Sequence, residues 1–112
     1  MRLKDKVAII TGSTSGMGRA TAILFAREGA KVVVVGRNEK RAKEVVDQIR
    51  SEGNEAIYVI ADMLNLDDVK NIFTRTMEEY GTVDILFNNA GMLSVTPLLD
   101  LSFVEWENVF RV

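Results

Sequence analysis

Four short apolar runs recur along the chain: Val7-Ala8-Ile9-Ile10, Val32-Val33-Val34-Val35, Ala56-Ile57-Tyr58-Val59-Ile60 and Ile85-Leu86-Phe87. None alternates apolar with polar residues. A strand with one wet face alternates, whereas a strand covered on both faces reads as a continuous, largely β-branched run. The pattern therefore predicts buried parallel strands. Helical spacing lies between the runs. Ala42, Val45, Val46 and Ile49 recur at i, i+3, i+4, i+7 with charged residues between them, and Val69, Ile72, Phe73, Thr76, Met77 and Tyr80 form a second such stripe. The segment after Gly18 is small and apolar (Ala20, Ile23, Leu24), as suits a helix laid closely on a sheet. Each of these three segments ends just before a glycine, Gly29, Gly53 or Gly81, and glycine accepts the left-handed conformation that closes a helix. A fourth helix is predicted near Ser102, where Ser102 and Glu105 have capping-box spacing and Phe103, Trp106, Val109 and Phe110 point inward.

The resulting order, β-α-β-α-β-α-β-α, builds a parallel sheet through right-handed crossovers. It predicts an α/β sandwich with strand order 3-2-1-4, formed by residues 1–112 as one unit without repeat or linker. The single proline, Pro97, falls in the connection after the fourth strand, where it disturbs no ladder.

Composition narrows the chemistry. The 112 residues are 47% hydrophobic and 27% charged, with 14 basic against 16 acidic side chains, as in an ordinary globular domain. A net charge of -2 supplies no basic field for nucleic acid and no polybasic signal for a membrane surface. With no cysteine, this chain has no disulfide framework, thiolate metal site or cysteine nucleophile. With no histidine, it has no imidazole zinc site and no serine–histidine triad. Met1-Arg2-Leu3-Lys4-Asp5-Lys6 lacks a signal-peptide core, and no apolar run approaches the roughly 18 residues of a membrane span. The expectation is a cytoplasmic protein with no nucleic-acid or membrane partner.

The first strand runs into Thr11-Gly12-Ser13-Thr14-Ser15-Gly16-Met17-Gly18, and a helix follows directly. A helix N-terminus presents unpaired N–H groups and about half a positive charge, which suits a pyrophosphate. Gly12 permits the turn off the strand, Gly16 lets backbone approach phosphate, and Gly18 lets helix and sheet pack closely. Ser13 and Ser15 are candidate hydroxyl donors. The alternative is a tight strand-to-helix turn that holds nothing.

Together, Thr11-Gly12-x-x-x-Gly16-x-Gly18 and the later Asn88-Asn89-Ala90-Gly91 resemble the short-chain dehydrogenase/reductase family, in particular its 3-oxoacyl-(acyl carrier protein) reductase-like members. Asp62 after the third strand, Val83-Asp84-Ile85-Leu86 and Trp106 fall in the family's order, and the likeness covers essentially every residue present. The resemblance implies a Rossmann-type doubly wound parallel sheet and NAD(P)-dependent oxidation or reduction of an alcohol or carbonyl. It implies that Gly12, Ser13, Ser15, Gly16, Met17 and Gly18 meet the cofactor. It further implies that Asp62 bonds the adenine amino group, that Met63 offers its backbone N–H, and that Asn89, Ala90 and Gly91 line the site, with Asn88 tying the fourth strand to its neighbour. The alternatives are that Asp62 is a turn or cap residue and that Asn-Asn-Ala-Gly is a plain turn.

The second strand ends Val35-Gly36-Arg37-Asn38. An acid here, about 20 residues past the glycines, would bond the ribose 2′-hydroxyl of NAD. It is missing, and Arg37 stands beside the position. A guanidinium grips a 2′-phosphate with two charge-assisted hydrogen bonds, so Arg37 points to NADP rather than NAD, unless it is simply a solvated residue.

By the same resemblance, catalysis needs a tyrosine with a lysine four residues later, and a serine. Tyr58 is followed at that spacing by Asp62 and Tyr80 by Asp84, so both read as packing residues. The family's asparagine seven residues after Trp106 would be position 113. These departures lead us to expect the N-terminal, cofactor-binding portion of an oxidoreductase, with no turnover by this chain alone. The fourth strand would then present an apolar edge, predicting self-association through it or through the fourth helix. Two other readings stand beside this one: a non-catalytic nucleotide-binding or assembly protein on the same half-fold, and a methyltransferase-like binder of adenosylmethionine.

Overall fold

The computed structural model describes residues 3–13 and 16–88. Strands and helices alternate: β1 (Val7–Thr11), α1 (Gly16–Arg27), β2 (Lys31–Gly36), α2 (Glu39–Ser51), β3 (Ala56–Ile60), α3 (Leu66–Tyr80) and β4 (Ile85–Asn88). The four strands are parallel, in the order β3-β2-β1-β4 that the sequence predicts. Ile9 sits opposite Val33 on one side and Leu86 on the other, and Val33 sits opposite Ile57. Because strands are parallel, their carboxyl ends share one edge of the sheet. Strand order reverses beside β1, which is where open α/β sheets form a crevice.

In β1 and β2 the unbroken apolar runs follow from coverage on both faces, whereas β3, at the sheet edge, is covered less than its run predicts, with Ile57 and Tyr58 half-buried and Ile60 exposed. Ala8, Ile10, Val32, Val34 and Ala56 pack on α1 and α2, through Ala22, Ala26, Val45, Val46 and Ile49. Their strand neighbours Ile9, Val33, Val35, Val59 and Leu86 pack on the other face, against Val69 and Ile72 of α3. Burying each valine or isoleucine contributes about 1.5–3 kcal/mol, so neither parity of position admits a polar residue. α1 turns Gly18, Ala22 and Ala26 inward, a stripe of minimal side chains that sets it close to the sheet.

The helix ends differ slightly from the sequence reading. Gly81 caps α3 in the left-handed conformation (φ 76°), its N–H donating to the Met77 carbonyl at 2.9 Å. α1 and α2 instead stop two residues short of Gly29 and Gly53, which lie in the turns that follow. At their starts, Asn38 and Asn65 cap α2 and α3, their side-chain oxygens accepting from the N–H groups of Arg41 and Asp68. β4 is fastened to β1 at its entry, where the Asp84 carboxylate accepts from the buried Val7 N–H at 2.9 Å. Among the described residues β4 pairs with β1 alone. The expected fourth helix lies outside the described residues.

Neither tyrosine lies by the glycine turn. Tyr58 donates to Glu39 at 3.3 Å, and Tyr80 sits at the opposite, amino edge of the sheet, under the Lys31 ammonium (5.7 Å to the ring centroid). Burial pushes the Tyr80 hydroxyl up to about 12, with the charges of Glu55 and Glu79 adding to the shift. A phenol whose pKa is raised on folding stabilises the native state fully below its unfolded value, about 10, and loses that contribution as pH rises through the folded one. Between pH 10 and 12 the native state should weaken by about 1 kcal/mol on this account, allowing for solvent at the exposed half of the ring. Urea unfolding at both pH values checks it: Tyr80→Phe should flatten the slope, and an unchanged slope refutes the assignment.

Candidate functional site

β1 delivers the chain to Gly12 (φ 63°), and α1 begins at Gly16 (φ 56°), so both glycines occupy backbone that other residues adopt with strain. Among the described residues, a β-carbon on Gly16 would meet nothing within 4 Å. Met17 is 70% exposed, whereas Gly18 is buried against the sheet. The first turn of α1 contains no acidic residue, in contrast to Glu39 in α2 and Asp67 and Asp68 in α3. The positive end of that helix is thus not neutralised from within its own turn.

Next along the edge, Arg37 follows β2 directly. It is exposed and forms no ion pair or hydrogen bond among the described residues. Asp62 follows β3 by two residues. The Ala61 N–H donates to the Gly36 carbonyl at 3.0 Å, continuing the β2–β3 pairing so that Arg37 and Asp62 leave the sheet side by side. Asp62 is half-buried; its Oδ1 accepts from Leu64 N–H at 2.9 Å, and its own N–H donates to Asp68 Oδ2 at 2.8 Å. Met63 turns its side chain into the core beneath α3. The carboxyl edge therefore gathers a glycine turn, a helix N-terminus, a free guanidinium and a carboxylate held in a fixed turn.

Two side chains have parts the sequence did not reveal. Ser13, expected as a phosphate donor, is fully buried. Its hydroxyl donates to the Ile10 carbonyl at 2.7 Å and accepts from Val35 N–H at 3.0 Å, and its backbone N–H donates to the Val35 carbonyl at 3.2 Å. Both donors are spent inside the protein, which corrects that expectation. Asp68, which anchors Asp62, is not singled out by the hydrophobic pattern; an acid in a first helical turn, six residues after Asp62, is the available signal. Ser15, Asn89, Ala90 and Gly91 lie outside the described residues. Among those described, no group of three or more potential ligands could hold a metal ion.

The short chain dehydrogenase family model matches residues 6–112. The chain belongs to that family. It is 39% identical, over its whole length, to an uncharacterised oxidoreductase of Listeria monocytogenes, of which it spans 45%. It is 41% identical to a 3beta-hydroxysteroid dehydrogenase of Mediterraneibacter gnavus over 96% of this chain and 40% of that protein. The apo-form crystal structure of a Caenorhabditis elegans glucose dehydrogenase superposes with a TM-score of 0.77 at 46% identity, covering 82% of this chain and 40% of that one. The chain thus spans less than half the length of these short-chain dehydrogenase relatives, and its sheet is the Rossmann-type doubly wound sheet they share.

Proposed function

We propose that this chain is the dinucleotide-binding portion of a short-chain oxidoreductase acting on an alcohol or carbonyl, with NADP preferred over NAD. The observation that carries the reading is the shared carboxyl edge, on which Gly12 and Gly16 follow β1, Arg37 follows β2 and Asp62 follows β3. The residues present fit the cofactor. The positive end of α1, which begins at Gly16 and has no acid in its first turn, suits a pyrophosphate. The unpaired Arg37 guanidinium suits a 2′-phosphate, and Asp62 retains a second carboxylate oxygen to accept from an adenine amino group. When bound, the nicotinamide would supply or take up the hydride. Neither Tyr58 nor Tyr80 has the lysine that would make it a proton relay, so the role assigned to Gly12, Gly16, Arg37 and Asp62 is holding the cofactor, and no residue here is assigned the proton transfer.

Calorimetric titration of the chain with NADPH and, separately, NADH tests this. Saturable binding is expected, with NADPH about tenfold tighter, equivalent to about 1.4 kcal/mol for one charged contact. No saturation by a folded sample overturns the reading, and binding of adenosylmethionine instead would place the chain among methyl-transfer proteins.

A further inference from the structure

Ser13 and Thr11 are polar side chains fully buried at the carboxyl edge, and the proposed function gives Ser13 no task. Its hydroxyl lies at the last rung between β1 and β2, where Thr11 stands opposite Val35. There it joins the Ile10 carbonyl to the Val35 N–H, while the Ser13 N–H meets the Val35 carbonyl. A longer contact, 3.4 Å to that same carbonyl, shares the hydroxyl hydrogen. The Ser13 hydroxyl, the Ile10 carbonyl and the Val35 N–H are shielded from water, so removing the hydroxyl takes away a buried donor to Ile10 and a buried acceptor from Val35. The clasp joins two particular places: the turn leading to Gly16, and a point two residues before Arg37.

Building on the proposed dinucleotide site, we infer that Ser13 is a positioning residue that fixes the glycine turn relative to the end of β2, so that the pyrophosphate cradle and the Arg37 grip hold one rigid spacing. Its contribution falls on ligands long enough to touch both places. NADPH spans them, whereas 2′-AMP carries the adenosine and its 2′-phosphate but no pyrophosphate. Preorganisation of the two contacts matters only where both are used together.

The test is titration of the full chain and of Ser13→Ala with both ligands, alongside hydrogen exchange at the Val35 amide. Loss of the clasp should weaken NADPH about tenfold, leave 2′-AMP within twofold, and speed exchange at Val35. A merely structural serine would weaken both ligands alike or neither, and either result overturns the inference. Should Ser13→Ala not fold, Ser13→Cys, with its weaker donor and acceptor, decides by the same comparison, with a smaller but still selective loss of NADPH expected. If the unsubstituted chain binds neither ligand, the dinucleotide reading falls first and the positioning role with it. If that chain binds both and Ser13→Ala binds them equally well, the positioning role alone falls.

Discussion

Arg37→Asp should weaken NADPH binding about 100-fold while leaving NADH within a few-fold of its original affinity. A charge-assisted contact contributes about 1.5–3 kcal/mol, and the substitution adds repulsion between carboxylate and 2′-phosphate. The new acid stands close to where a ribose 2′-hydroxyl would find an acceptor, which keeps NADH bound. Because Arg37 is exposed and has no partner among the described residues, the fold should hardly register the change, by no more than about 0.5 kcal/mol. Parallel titrations and a urea melt measure all three quantities. Equal losses for the two dinucleotides would remove Arg37 from the site.

The largest effect on stability is expected at α1. Ala22 has no exposed surface and lies between Gly18 and Ala26 on the face that meets the sheet. Ala22→Leu forces three heavy atoms into a close-packed layer, costing about 3 kcal/mol through displaced neighbours. Leu24, on the same helix, is mostly exposed, so Leu24→Ala should shift stability by only about 0.5 kcal/mol. If urea midpoints moved equally in both, the close approach of α1 would not be the constraint. Ala22→Leu should also weaken NADPH binding, since the helix it lifts from the sheet begins at Gly16.

The strands and their order were legible because burial on both faces leaves a signature that survives without knowledge of neighbours: Val32 to Val35 has no polar position to mark an outer face. Helix stops were legible to within two residues, since a glycine marks the turn and not which of its residues ends the hydrogen bonding. The places of Gly12, Gly16, Arg37 and Asp62 just past the strand ends were readable from the sequence. Ser13 was not. A serine in a glycine turn has the same composition whether its hydroxyl faces a phosphate or the interior, and only the 2.7 Å bond to Ile10 separates the two. Asp68 was hidden differently: its partner is a backbone N–H, which carries no mark in the sequence.

The fastening of Val7 to Asp84 bears on what it takes to assemble the sheet. β1 and β2 meet after a short excursion of the chain, Val7 lying opposite Lys31, whereas the Val7–Asp84 bond closes a separation of 77 residues. Loop-closure entropy grows only logarithmically, by about 0.6 kcal/mol per doubling, so the longer return costs roughly 1 kcal/mol more than the shorter. Burial of Leu86 alone, fully enclosed in β4, contributes more than that, about 1.5–3 kcal/mol. Routing the chain through two further crossovers before it comes back beside β1 is therefore a minor entropic burden, and the reversal of strand order that opens the crevice adds little to the cost of folding.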